Sequence, residues 1–297
     1  MISISTRYQP VLQVLVLASL IWLSNIHAHA DSDIPPQRII SLAPHITELL
    51  FAIGAGGQIA ATVEHSDYPA TALDIPRIGN VYQLDWERLL GLKPDLIIAW
   101  QGGTPAHVVA RLRDLDLPLK QVRVHSLDGI AEQIISLGAL TGQQINAMAV
   151  ASGFREQLLS LEKRYGDHSP VTVFFEIDHT PLYTVNADQI ISDAIRVCGG
   201  TNIFADLPAL AAQISIESVL QRSPELIVYA GSSQSPEQVF ADWKRWKTLP
   251  AVRTGQLLSI KPDDISRATP RMLKGVAQLC EAIQAARTAK GVSPGHH

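Results

Sequence analysis

One phrase occurs twice in this chain, once in each half, and it limits the fold more than any other feature. The first copy is Glu87-Arg-Leu-Leu-Gly-Leu-Lys-Pro-Asp-Leu-Ile-Ile-Ala, and the second is Glu217-Ser-Val-Leu-Gln-Arg-Ser-Pro-Glu-Leu-Ile-Val-Tyr. The glutamates are 217 − 87 = 130 residues apart, and Pro94/Pro224 and Leu96/Leu226 keep the same offset. Each copy reads as a short helix, a proline stop and a buried strand. Two copies of one local structure imply two related lobes. The cleft between two lobes is a common seat for a small molecule.

The 297 residues suffice for two lobes of ordinary size. Strand-like runs that are apolar throughout (38–42, 59–63, 96–100, 171–175, 226–229, 257–260) alternate with helical segments. That pattern predicts an α/β fold in which each lobe has a central, mainly parallel sheet covered by helices. In the first lobe Thr47 is expected to cap a helix ended by Gly54, and short segments near 86–92 and 105–115 read as helices. A strand is expected at 122–125. From about 142 to 165, Ala147, Val150, Ala151, Phe154, Leu158 and Leu161 recur at helical spacing, which predicts one long helix joining the lobes. A helix over 187–197, a loop over 178–181 and a C-terminal helix from Pro270 complete the second lobe. The expected division is a signal peptide at 1–30, an N-terminal lobe at 31–141, a connecting helix at 142–167, a C-terminal lobe at 168–290 and a disordered tail at 291–297.

The N-terminus reads as a targeting segment. Arg7 precedes an apolar run over 11–23, and Ala28-His29-Ala30 resembles a cleavage site, so the mature chain is expected to begin near Asp31. An uncleaved anchor is the other reading, although the run is shorter than a membrane span requires. The only cysteines are Cys198 and Cys280. In an oxidising compartment a disulfide is the default, and two buried free thiols the alternative. A net charge of −4 offers no basic face for nucleic acid.

No G-x-S-x-G elbow, H-E-x-x-H or P-loop occurs, so nothing points to catalysis. Of ten histidines, His45, His65 and His179 fall just after expected strands, where cleft residues of α/β lobes arise. A metal-dependent enzyme built on them is a rival reading. Trp100, Tyr82 and Tyr183 stand in or beside loops, and rings so placed can stack on a flat ligand. Asp263 and Arg267, in a loop after the last strand, can bond its polar rim. Glu87 and Glu217 each open a helix and gain modestly from its dipole. Their paired placement also suits contact with basic pockets on one partner.

Several phrases carry a family resemblance over nearly the whole chain from Arg38 to about Ala285: Arg38-Ile-Ile-Ser-Leu-Ala-Pro with Thr47-Glu48-Leu49, Ser66-Asp-Tyr-Pro69, Lys93-Pro-Asp-Leu-Ile-Ile-Ala-Trp100 with Gly102-Gly103, Val197-Cys-Gly-Gly with Asn202-Ile-Phe204, and Arg267-Ala-Thr-Pro-Arg271. The chain resembles the periplasmic substrate-binding proteins of cobalamin, haem and ferric-siderophore ABC importers, in their cobalamin branch. The resemblance implies two comparatively rigid α/β lobes bridged by one long helix, the class III arrangement. It implies a soluble periplasmic monomer without catalytic activity or catalytic cofactor, which carries cobalamin to an inner-membrane permease dimer with its ATPase. Matched to the family's motifs, His65, Tyr82, Trp100, Asp263, Asp264, Ile265, Ser266 and Arg267 are the expected cobalamin-binding residues. Glu87 and Glu217 are the expected permease-docking residues, and Cys198 and Cys280 the expected disulfide. No residue is assigned as a metal ligand, although His65 is placed to approach the cobalt axial face or to bond a corrin amide.

The chain also departs from that pattern. His65 replaces an aromatic residue, and Asp264, Ile265 and Ser266 replace bulkier or charged ones. Ala211 and Ile177 stand where cleft rings are expected. With less aromatic area in the cleft, a related corrinoid is one alternative cargo, haem or a ferric siderophore another, and a sensor that does not transport is a further reading.

Overall fold

The computed structural model describes residues 34–291. The expected signal peptide and residues 292–297 of the expected tail lie outside them. The first sheet is formed by β1 (Ile39–Ser41), β2 (Ile59–Thr62), β5 (Leu96–Trp100) and β6 (Leu119–Val122), in the order β2-β1-β5-β6 and parallel throughout. α1 (Pro44–Ala52) follows β1. A small hairpin of β3 (Gly79–Asn80) and β4 (Gln83–Leu84) precedes α2 (Trp86–Gly91), and α3 (Ala106–Asp114) and α4 (Leu127–Thr141) flank β6 in sequence. α5 (Gln144–Tyr165) then carries the chain to the second sheet.

That sheet contains β7 (Val171–His179), β8 (Leu182–Val185), β9 (Gly200–Asn202), β10 (Ala211–Gln213), β11 (Leu226–Tyr229) and β12 (Leu257–Ser259). The β7–β9, β7–β11 and β11–β12 pairs are parallel, whereas β7–β8 and β8–β10 are antiparallel. Its helices are α6 (Ile190–Val197), α7 (Ile216–Arg222), α8 (Pro236–Trp243), α9 (Pro250–Arg253), α10 (Pro262–Ser266) and α11 (Met272–Gly291). The fold is thus the expected one, two mainly parallel sheets linked by a long helix.

The apolar strands owe their continuity to burial on both faces. Ile39, Ile98, Val173, Phe175 and Val228 point to one core, while alternate residues point away from it. Ile40, Ile97 and Ala99 enter a separate cluster outside the first sheet, and Phe174, Ile227 and Tyr229 one outside the second. This is the period of two that a pleated strand imposes. The shared core also takes in Ile134 of α4, Phe154 of α5 and Ile283 of α11, so apolar packing runs unbroken from one sheet to the other.

Local chemistry explains where the elements differ from expectation. α1 begins at Pro44, not at a Thr47 cap: Ala43 is its N-cap, and Thr47 lies buried inside the helix, where its hydroxyl donates to Ser41 Oγ at 2.8 Å. β6 starts three residues before the expected strand, because Leu119–Val122 pair in register with residues 97–100 of β5. α4 was not expected. Ser126 caps it by accepting the Gly129 N–H, and Gly142, at φ 73°, ends it. This left-handed residue belongs to the turn, so the connecting helix begins at Gln144. α6 likewise starts at Ile190, after its N-cap Gln189. β7 takes in the first half of the expected loop, to His179, and Thr180 and Pro181 turn the chain back as the β7–β8 hairpin. The 263–267 run is not a loop either: Pro262 starts a helical turn, α10, that ends at Arg267. Gly291, expected in the tail, is the last residue of α11.

One further tie lies within the second lobe and another crosses between the lobes. Cys198, at the end of α6, is joined to Cys280 of α11 with S–S 2.00 Å. Buried Glu48 of α1 accepts hydrogen bonds from Thr269 Oγ1 (2.7 Å), Arg271 Nε (3.1 Å) and Arg271 Nη2 (3.0 Å). Arg271 also lies over the Tyr68 ring at 4.3 Å. An ion pair this enclosed resists loss of either partner, since the remaining charge would be stranded.

Candidate functional site in the interlobe cleft

The ends of β1 and β5 carry the cleft wall of the first lobe. The chain leaves β1 through Pro44 and His45, and β5 ends at Trp100. These residues, with Gln101 and Gly102, face Asp188, Gln189, Leu210, Ser266 and Arg267 of the second lobe across a cavity of about 340 Å³. Loops at the carboxyl ends of parallel strands are the usual place for such a site.

Trp100, the last residue of the interior strand β5, is 42% exposed. Its backbone N–H donates to Thr104 Oγ1 at 3.0 Å. Its ring lies over Gly103, where an added Cβ would come within 1.8 Å of Cε3. Gly103 therefore lets the indole lie flat on the turn. His45 meets Trp100 edge-on, with ring centroids 5.1 Å apart and planes at 83°. Burial, helped by the Arg267 charge, lowers the His45 pKa to about 4, so the imidazole is neutral at ordinary pH.

Arg267 is committed to protein partners. Nη1 donates to Asp67 Oδ1 at 2.8 Å, Nε pairs with Asp263 Oδ1 at 3.0 Å, and Nη2 donates to the His65 carbonyl at 3.2 Å. It links the lobes at the cavity wall, so a ligand group reaching it must share these donors.

Of the expected ligand residues, Trp100, Ser266 and Arg267 line this cavity together. Asp263 and Asp264 line a different one, of about 580 Å³, with Tyr68, Ser232 and Arg271. His65 is exposed, with φ 64°, and does not line the first cavity. Tyr82 is 68% exposed in the turn between β3 and β4, also outside it. Ile265 is fully buried in the shared core, on the inward side of α10, and lines neither cavity. Matching the run residue by residue hid this, because a helical turn alternates faces and a loop need not. Pro44, His45, Asp188, Gln189 and Leu210 also line the cavity and were not among the expected residues. Only His45 carried a signal, its place just after a strand.

His45 and His125 line the cavity, whereas His65 and His179 do not. His179 belongs to β7 and bonds the buried Glu176 carboxylate through Nδ1, while Trp243 Nε1 donates to the other Glu176 oxygen at 2.8 Å. Burial pushes the Glu176 pKa up against the pull of these two bonds. Among the described residues no three His, Cys, Asp or Glu side chains group as a metal site.

Glu87 and Glu217 are exposed and stand in the first turns of α2 and α7. The repeat holds in detail. Asp85 and Ser215 are the caps, Leu89 and Val219 the buried anchors, and β5 and β11 the strands that follow. Bonds from its own backbone N–H and from Ser215 hold the Glu217 carboxyl below its usual range.

A model of the family described as periplasmic binding protein matches residues 39–263. The chain belongs to this family. A vitamin B12-binding protein of Vibrio cholerae serotype O1 is 36% identical to this binding protein over 257 residues, covering 85% of the chain and 91% of the relative. One from Vibrio parahaemolyticus is 34% identical over 253 residues, with the same coverage. The crystal structure of the periplasmic vitamin B12-binding protein BtuF of Vibrio cholerae superposes with TM-score 0.78 at 36% identity, covering 86% of this chain and 99% of that one. A haem-binding protein, RhuT of Roseiflexus, shares the fold with TM-score 0.71 at 22% identity, covering 84% of this chain and 99% of that one.

Proposed function

We propose that this protein captures cobalamin in the interlobe cleft and delivers it to an ABC permease, without chemical change to the cargo. The observation that carries the reading is the cavity walled by exposed Trp100, in a chain 34–36% identical to vitamin B12-binding relatives. A flat, amide-fringed corrin suits a wall with one stacking ring and a rim of Gln101, Asp188, Gln189 and Ser266. In this reading the protein is a periplasmic monomer, with Glu87 and Glu217 docking on basic sites of the permease. The docking residues lie on equivalent helices of the two lobes, so one symmetric partner can engage both. The core shared across α5 favours small lobe movements, and release follows when the transporter spreads the lobes.

Equilibrium dialysis of the oxidised protein against cyanocobalamin, cobinamide, haemin and a ferric hydroxamate, side by side, tests the cargo. Retention of the corrinoids over haemin and the siderophore is expected. Preferential retention of haemin with a Soret shift would replace this reading with the haem alternative.

A further inference from the structure

Three rings face the first cavity from the first lobe, His45, Trp100 and His125; the first two stand nearly at right angles, and this angle has a chemical meaning. An indole that stacks on a flat macrocycle lies parallel to it. An imidazole that binds the metal at its centre stands perpendicular to it. One planar ligand can therefore satisfy both only if the rings cross at about a right angle, and Trp100 and His45 cross at 83° with centroids 5.1 Å apart. His45 lines the cavity, and neither ring nitrogen has a hydrogen-bond partner among the described residues. Its nitrogens are also absent from the enclosed, unpartnered polar atoms of the described residues, so they open toward solvent in the cleft.

We propose that His45 is an axial ligand to the metal of a flat macrocyclic cargo, taking the position that a labile water occupies in the free ligand. The proposal rests on the cobalamin reading and adds to it a preference for the axial state of the cargo. The step is a ligand substitution: one ring nitrogen donates its lone pair to cobalt as the bound water leaves, with no electron or proton transferred. A neutral ring is required, since a protonated imidazole has no lone pair to give. Contact with Trp100 fixes the ring orientation, the part that an outer-shell partner plays at other metal sites. His65, for which axial approach or a corrin-amide bond was expected, lies outside this cavity with its carbonyl committed to Arg267.

The test titrates aquacobalamin, with exchangeable water on its upper face, and cyanocobalamin, with that face blocked by cyanide, into the wild type and His45→Gln. Absorption spectra and Kd are both read. Glutamine can still hydrogen-bond a corrin amide but is a poor cobalt ligand. Expected for the wild type is a shift of the aquacobalamin bands to those of an imidazole adduct, with affinity over cyanocobalamin raised roughly tenfold or more, the scale of one metal-tuning contact. In His45→Gln the shift and the preference should both vanish. If the wild type binds both corrinoids with no band shift, or if the shift survives in His45→Gln, axial ligation is refuted while the cobalamin reading stands. If the wild type binds neither, the cobalamin reading fails and the axial role falls with it.

Discussion

Single residues decide what the cleft presents. Gly103 carries no side chain, yet it determines whether Trp100 can lie flat, because a methyl group there would collide with the indole at 1.8 Å. Gly103→Ala should therefore tilt the ring and forfeit part of its stacking. A loss of about 0.5–1.5 kcal/mol corresponds to a roughly 2- to 12-fold weaker cobalamin Kd, measurable by fluorescence titration. An unchanged Kd would remove Trp100 from the binding wall. Asp67 makes a second residue-scale case. Burial raises its pKa, but the hydrogen bond and charge of Arg267 outweigh that and hold it below its ordinary value of 3.8. A depressed carboxyl contributes stability that is present above 3.8 and is lost as pH falls through the lowered value. Asp67 is half-exposed, so the contribution is modest. Asp67→Asn should cost under about 1 kcal/mol in urea unfolding at pH 7. The difference should close in strong acid, and a gap independent of pH would contradict the assignment.

Elements show what a sequence can and cannot announce. The helix–strand units around Glu87 and Glu217 were legible because cap, buried anchor, proline and apolar strand recur at one spacing. The α4 helix was missed although Ser126 and Gly142 punctuate it plainly. Its apolar residues adjoin those of α5, and the break between the two depends on one left-handed residue. The β7–β8 hairpin was hidden by Pro181, which reads as a loop signal, and α10 by its polar residues. The burial of Ile265 was hidden for the same reason, since the side a short helix buries depends on which neighbour it packs against. The disulfide is an element-scale prediction. It ties α6 to α11 across 82 residues of chain. Replacing both cysteines with serine should cost about 4–5 kcal/mol in the chain-entropy model, read as a lower urea midpoint with a steeper slope as the unfolded chain expands. A loss well under 1 kcal/mol would mean that the shared core alone fixes these helices.

The whole molecule joins two repeated lobes through one continuous core, reinforced by the Glu48–Arg271 pair and the Arg267 links across the cleft. The repeated glutamates mark the outside of each lobe, whereas the cavity is lined by the ends of β1 and β5 and by loops of the second lobe. Docking and cargo binding should therefore separate by mutation. Glu87→Ala combined with Glu217→Ala should leave the cobalamin Kd unchanged and weaken association with the permease in detergent or nanodiscs. Intact association in that double variant would remove the docking role. Capture of cobalamin by the cleft is the claim on which docking and axial ligation both depend. It is tested most directly by calorimetric titration of cyanocobalamin into the purified, disulfide-intact protein. The expected result is saturable binding of one molecule per chain with micromolar or tighter Kd. No heat and no binding under those conditions would contradict it.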